Sequence, residues 1–524
     1  MKLLTQHLLL IIFLTFYFSF TAYKFVSHPT PFFDWDESIN VQVAKEMIEQ
    51  KSFVPLWQGK AWLDKPPLPF LFLGVIMKLT PFLQPEISLR LTSLFISIVA
   101  LVFIYLVFLK ASNRLIATLT VIITSFTPIF LQRSQIVNLD VFLLIGWLGY
   151  LLFVQHFWLS LFFLTISILT KSLIGLYPVV ILLIYYLYRF FILKINKKIL
   201  SEQSKTLINI QTGIRTIFIQ ISLLSIWYLV MLLVFKEQFW QQHIVETHFK
   251  RVTASIESHF GQRTYYIDLI HEQLGFFFWP SLIGLGLVIL SAAKNLAKPG
   301  TVLYLAKHKN YDWVLYSLFL MPWFVFLNLT KTKIFWYLYP AIPQFAFLAV
   351  YPFHVILNGA KHSEESSGSV KRTLRSLDPS LFLRMTVTLL IIAFIFHQNF
   401  IKTNFFTTFY SKPEDYYRLA LFAKDRCDSL TFLVGKETRE ATKTIENLGL
   451  TIASTKQWGD HPSIVYYFGK RVNFFYDKNL LEDKLLQLFK NTCLAIRNDD
   501  LNSSWENKHF TLIKNFNSYY LFKR

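Results

Sequence analysis

Cysteine is nearly absent from this chain: Cys427 and Cys493 are its only two among 524 residues. No Cys-x-x-Cys pair exists, which excludes metal and haem sites of that type. No His-Glu-x-x-His is present either, so a zinc protease is unsupported. Charge is sparse, at 16% of residues against roughly a quarter in soluble domains. No internal repeat or low-complexity segment is evident. What fills the chain instead is apolar: 54% of residues are hydrophobic and 18% aromatic, and mean hydropathy is +0.42.

Apolar runs of about 17–25 residues recur, the length a helix needs to cross hydrocarbon. The expected fold is a polytopic α-helical membrane protein. About eleven spans are read, at 8–24, 88–109, 115–131, 139–154, 156–170, 172–193, 214–235, 273–291, 312–329, 334–356 and 381–400. The first follows Met1-Lys2 without a small-residue cleavage site and is read as a retained span. Leu68 to Leu83, cut by Pro69 and Pro81, is expected to be interfacial or partly inserted.

The net charge of +20 lies largely in short loops such as those holding Lys110, Arg114, Arg189, Lys197 and Lys198. That distribution orients spans and contacts anionic headgroups rather than binding nucleic acid. It sets the N-terminus inside and places the loops at 25–87, 131–139, 171, 236–272 and 330–333 outside, with everything after 401. Residues 1–400 are then a membrane domain with its first outer loop at 25–87. Residues 401–524 are a small extracytoplasmic α/β domain, with Leu430 to Val434 and Ser463 to Phe468 as strands and Leu480 to Phe489 as a helix. Cys427 and Cys493 fall there, either bridged or as buried thiols.

The chemistry-capable residues gather in the outer loops. Asp36 and Glu37 can take a proton from an attacking hydroxyl, though they also suit a helix N-terminus. Lys65-Pro66-Pro67 projects a cation from a segment that cannot turn helical, or snorkels at the interface. Asp140 opens an apolar span, where a carboxylate is costly without a partner or a task, unless it caps the helix. Lys171 ends another span. His248, Arg251 and His259 lie in the long loop, among groups suited to a phosphate leaving group. Lys331 and Lys333 lie outside against the charge rule, as expected for anion binding, and Tyr337 shares a helical face with Lys333.

Asp36-Glu37, Ala44-x-x-Met47, Trp57-x-Gly59, Asp64-Lys65-Pro66-Pro67-Leu68 and Arg90-Leu91-x-Ser93 occur in order. Together they resemble the GT-C membrane glycosyltransferases of the protein O-mannosyltransferase and lipid A aminoarabinose transferase superfamily, over roughly residues 30–345. The resemblance implies inverting transfer from a polyprenyl-phosphate sugar to a lipid A, glycan or protein acceptor, on the outer face of a bacterial cytoplasmic membrane. Asp36 matches the catalytic carboxylate and Lys65 the lysine on donor phosphate or acceptor. Asp140 matches the second acid, Lys171 the lysine of a Thr-Lys-Gly, and Lys333 with Tyr337 a late Lys-x-x-x-Tyr. Ser172 replaces the glycine after Lys171, Asp64 replaces a glutamate, and Asn40 stands where the aminoarabinose branch has arginine or tyrosine. Some relatives hold a metal between the acid before Lys-Pro-Pro and a later histidine, which would be Asp64 and His248 here, although the transfer requires no cofactor in principle. The competing classes are a lipid-linked sugar flippase or transporter and an oligosaccharide ligase. A transporter would need ionisable groups near mid-span and traces of inverted repeats, which the chain lacks.

Overall fold

The computed structural model describes residues 7–195, 200–257, 259–297, 312–366, isolated positions between 386 and 397, 413–485, 491–501 and 510–524. Five helical stretches there are long and apolar enough to cross a membrane: Leu8–Ser27, Pro85–Ala111, Phe157–Phe191, Ile210–Thr253 and Tyr265–Ala293. Arg114–Phe126 and Pro128–Gln135 make a sixth if taken together, bent by 71°. The expected count of about eleven is therefore too high for the described residues. The runs at 156–170 and 172–193 merge into one stretch. Asp140–Leu152 and Leu68–Leu79 are shorter apolar helices. The run at 312–329 is broken between Leu318 and Met321. The expected span at 381–400 lies outside the described residues, save for isolated positions.

The 71° bend has a local cause. Pro128 disfavours helical geometry at Thr127, which sits at φ −65°, ψ 139°. The helix therefore stops at Phe126 and restarts with proline in its first turn, where no backbone donor is lost. The restart carries Arg133 on a helix rather than in the loop expected at 131–139. Elsewhere bare backbone sets the spacing. A Cβ on Gly284 would run into the Leu348 carbonyl of the helix Ile342–Ser366. Gly284→Ala should push these helices apart and cost about 1–3 kcal/mol, read from unfolding of the full chain in detergent.

The C-terminal region is a five-stranded mixed sheet. Its strands follow the two-residue β1 (Leu56–Trp57) and β2 (Lys60–Ala61) of the first loop. They are β3 (Ser429–Leu433), β4 (Arg471–Phe475), β5 (Thr492–Arg497), β6 (Thr511–Asn515) and β7 (Tyr519–Lys523), in the order β4-β3-β5-β7-β6. β3 runs parallel to β4 and β5, while β7 is antiparallel to β5 and β6. Helices Asp415–Lys424, Lys436–Asn447 and Lys478–Leu485 complete it. Cys427 and Cys493 are joined in a disulfide. Leu430 to Val434 is a strand as expected apart from its last residue, but Ser463–Phe468 is a helix. Pro462, at φ −59°, starts it, and Gly469 at φ +71° stops it. Five of its six side chains are buried, so the apolar run carries no period that separates strand from helix.

This region does not stand apart from the membrane part. Buried residues of the first loop (Phe32, Trp57, Trp62), of the helix Asp36–Glu49 and of the sheet (Phe432, Tyr519, Leu521) form one continuous apolar cluster.

Candidate active site

The helix Asp36–Glu49 begins at Asp36 itself, so the carboxylate stands in the first turn, where the helix dipole favours negative charge. Trp35 precedes it with φ +65° and ψ −120°, a backbone state that side chains rarely adopt and that surrounding structure must enforce. Asp36 is 39% exposed and lies 3.6 Å from Arg133. Arg133 turns its other contact to Asp140 at 3.3 Å and rests over the Trp336 ring, 4.6 Å from the centroid. Lys171 also pairs with Asp140, and its ammonium sits 5.2 Å from the Tyr337 ring centre. Asp140 thus anchors two cations from two different helices.

These groups line a cavity of 690 Å³ that also takes in Asp64, Lys65, His248, Arg251 and His259. Asp36, Lys65, Asp140, Lys171, Arg251, His259 and Tyr337 are therefore brought together as the sequence suggested. A second cavity, of 620 Å³, shares Trp35, Asp36, Arg133 and Trp336 with the first.

Three expected members are placed differently. Glu37 is buried, gripped by Arg90 at 3.0 and 2.8 Å, and accepts the backbone N–H groups of Phe33 and Val137. With both oxygens so engaged it holds the loop and is not presented for chemistry. Lys333 donates to the carbonyls of Leu327 and Asn328 at 3.0 and 3.2 Å, closing the end of the helix Met321–Leu329. Residues Phe335–Ala341 form a 3₁₀ helix that starts only after Lys333. The expected shared helical face of Lys333 and Tyr337 therefore does not form. Lys331 is exposed and outside both cavity linings.

Charge balance sets the carboxylate's state. Burial pushes Asp36 up, but Lys65, Arg133 and Lys171 outweigh it and hold the carboxyl below its ordinary value of 3.8. Burial lowers Lys65, with Asp36 partly restoring it. Asp64 is raised by burial, against a 2.6 Å hydrogen bond from Ser454. Burial also lowers His259, which keeps the imidazole neutral. If the ionised form of Asp36 is the working one, the rate should hold steady on acidification through the ordinary carboxylate range, because protonation of Asp36 sets in only below 3.8. A pH–rate profile of the full chain checks this, and an acid midpoint near pH 6 would contradict it.

Asp64 and His248 both border the cavity, but among the described residues no three His, Cys, Asp or Glu side chains gather closely enough to hold a metal ion.

Two features of the site were not read from the sequence. His243 is fully buried between the Leu63 carbonyl (2.6 Å) and the Ser172 hydroxyl (2.9 Å), tying the Asp64-Lys65 loop to the end of the Lys171 helix. Ser172 has φ +53°, the state glycine adopts freely, which gives a physical sense to the replaced glycine. The second is a whole wall of the cavity: Glu437, Thr438, Thr442, Ser454, Trp458 and Tyr476 come from the C-terminal region. The only signal for it was Trp458-Gly459-Asp460-His461-Pro462, a polar and aromatic run between turn residues.

The sequence pattern of the dolichyl-phosphate-mannose-protein mannosyltransferase family matches residues 37–242, the segment that carries Lys65, Arg133, Asp140 and Lys171. The match is to a family of membrane mannosyltransferases and covers well under half of the chain. The chain's overall fold agrees with that of ArnT from Cupriavidus metallidurans bound to undecaprenyl phosphate. That likeness has a TM-score of 0.61 and 12% identity, and covers 98% of this chain and 97% of ArnT. The archaeal oligosaccharyltransferase AglB from Archaeoglobus fulgidus, in complex with an inhibitory peptide and a dolichol-phosphate, is similar at a TM-score of 0.55 and 10% identity. There 94% of this chain and 70% of AglB are covered. At such identities the likeness speaks for the fold. No curated protein sequence matches this chain.

Proposed function

We propose that this protein is a GT-C membrane glycosyltransferase that moves a sugar from a polyprenyl-phosphate donor to a lipid, glycan or protein acceptor, with inversion, at the outer face of a bacterial cytoplasmic membrane. One observation carries the reading: a carboxylate kept ionised in a cavity whose wall also holds Lys65, Arg133, Lys171 and Arg251. Four cations against a lipid phosphate, beside one accessible base, is the arrangement such a transfer requires. The fold it shares with ArnT, a structure bound to undecaprenyl phosphate, supports the donor class.

In this reading the acceptor oxygen attacks the anomeric carbon as Asp36 accepts its proton. The carbon–oxygen bond to phosphate breaks, and the electron pair leaves with the polyprenyl phosphate. Lys65, Arg251 and Lys171 take up the departing charge, with Tyr337 beside them. Asp140 orients Arg133 and Lys171. Asp36 borders both cavities, so a donor on one side and an acceptor on the other could both reach it, as in-line displacement demands. Residues 1–400 serve as the membrane domain and 401–524 as an outer domain that closes the first cavity.

The test supplies the full chain in vesicles with labelled polyprenyl-phosphate sugars. Release of polyprenyl phosphate with the sugar transferred is the expected result. Movement of intact labelled lipid across the bilayer without cleavage would make the protein a flippase instead.

A further inference from the structure

The segment that aims Asp36 is held from outside the membrane domain. Asp34 accepts the Ser463 backbone N–H at 3.0 Å and lies 2.7 Å from His461 Nδ1. The other ring nitrogen of His461 lies 2.9 Å from the Tyr519 hydroxyl of β7, and the imidazole stacks on Tyr416 at 4.1 Å. Two residues earlier, the Phe32 N–H donates to the Tyr467 hydroxyl at 2.6 Å, and that hydroxyl donates to Glu86 at 2.9 Å. One short stretch of the C-terminal region, residues 461–467, therefore fastens both ends of Phe32-Phe33-Asp34. On the membrane side the same stretch is fixed by Glu37, which accepts the Phe33 N–H, and by Arg90, which donates to the Pro31 carbonyl. Between this clamp and Asp36 stands Trp35 alone, at φ +65°. A non-glycine residue keeps that conformation only where its neighbours over-determine it.

We propose that His461 and Asp34 form a positioning latch. In this latch the C-terminal domain holds Trp35 in its left-handed turn and thereby aims the Asp36 carboxylate at the reacting hydroxyl. The inference rests on Asp36 being the base. It assigns the C-terminal domain a part in the chemical step, beyond walling the cavity. The phosphate-facing cations lie on other elements, so the latch governs turnover rather than donor capture. A displacement of about 1 Å at a catalytic group costs on the order of 10²-fold in rate.

The test uses the full chain in detergent. The donor is the total polyprenyl-phosphate-sugar fraction extracted from membranes of the producing cells, and released polyprenyl phosphate is the readout. His461→Ala should lower kcat by about 10–100-fold, leave KM for the donor and binding of undecaprenyl phosphate unchanged, and keep the thermal midpoint. His461→Asn, whose amide nitrogen replaces Nδ1, should recover most of the rate. Asp34→Ala, which also releases the Ser463 N–H, should lower kcat at least as far as His461→Ala, and the double variant should be no worse than Asp34→Ala, since the His461–Asp34 contact is lost only once. Should His461→Ala not fold, Tyr519→Phe removes only the support behind the imidazole and should lower kcat in the same direction. Wild-type kcat in His461→Ala or in Tyr519→Phe overturns the latch, as does a parallel loss of undecaprenyl phosphate binding. Asp36→Asn, run alongside, separates the two readings. If it transfers normally, the base assignment fails; if it is dead while His461→Ala is fully active, only the latch fails.

Discussion

Asp36→Asn should reduce transfer by about 10²–10⁴-fold, the usual contribution of a positioned general base. Donor binding should hold or tighten. The asymmetry follows from the charges around the carboxylate. Arg133 is 3.6 Å away, and Lys65 and Lys171 also lower its protonation. Replacing an anion with a neutral amide of the same shape leaves that positive field uncompensated. A lipid phosphate then meets the same cations with one less competitor. The expected signature is a collapse of kcat with an equal or smaller dissociation constant for undecaprenyl phosphate. Wild-type turnover would remove Asp36 from the base role, while loss of turnover and binding together would point to a collapsed site.

The second large effect concerns Glu37, one residue further on. Glu37 and Arg90 are 1% and 0% exposed and 2.8 Å apart. The remaining Arg90 donors go to Thr30 and Pro31, and the remaining Glu37 acceptor capacity to Phe33 and Val137. Every polar atom of the pair is satisfied, so the cost of taking both charges out of water is already met by their partners. Cutting one member leaves a buried charge with no counterion, which costs about 3–5 kcal/mol. Arg90→Leu or Glu37→Leu should therefore unfold at much lower denaturant or temperature than wild type. The double Leu variant should lose less than either single one, because no lone charge remains. A double variant as unstable as the sum of the singles would show that the backbone contacts, not the ion pair, dominate.

The contrast between these neighbours shows what the sequence could disclose. Asp36 and Glu37 are chemically near-equivalent on paper, and a helix turns them about 100° apart, one toward a cavity and one into the protein. Which goes where depends on Arg90, fifty-three positions away, and no local pattern encodes it. Lys65, Asp140 and Lys171 were legible because charge is expensive near the membrane and stands out in apolar surroundings. Lys333 stood out for the same reason, yet serves a helix end. The polytopic class followed from composition alone. The span count did not, since a proline break such as Thr127-Pro128 keeps hydropathy high while changing the path of the chain. The cavity's outer wall was hardest to see. Threonine, serine and tyrosine in a polar domain carry no mark of what they face.

The chain from Tyr519 through His461 to Asp34 also bears on time. Residues near the two ends of the polypeptide, some 485 positions apart by their numbers, must meet before the segment that carries Asp36 is fastened. A ribosome adding roughly 5–20 residues per second needs about 25–100 seconds to cover that distance. Throughout, the membrane helices can insert while β7 does not yet exist. The nascent protein is thus expected to occupy the bilayer before its carboxylate is in place, and to become competent only when its last strand joins the sheet.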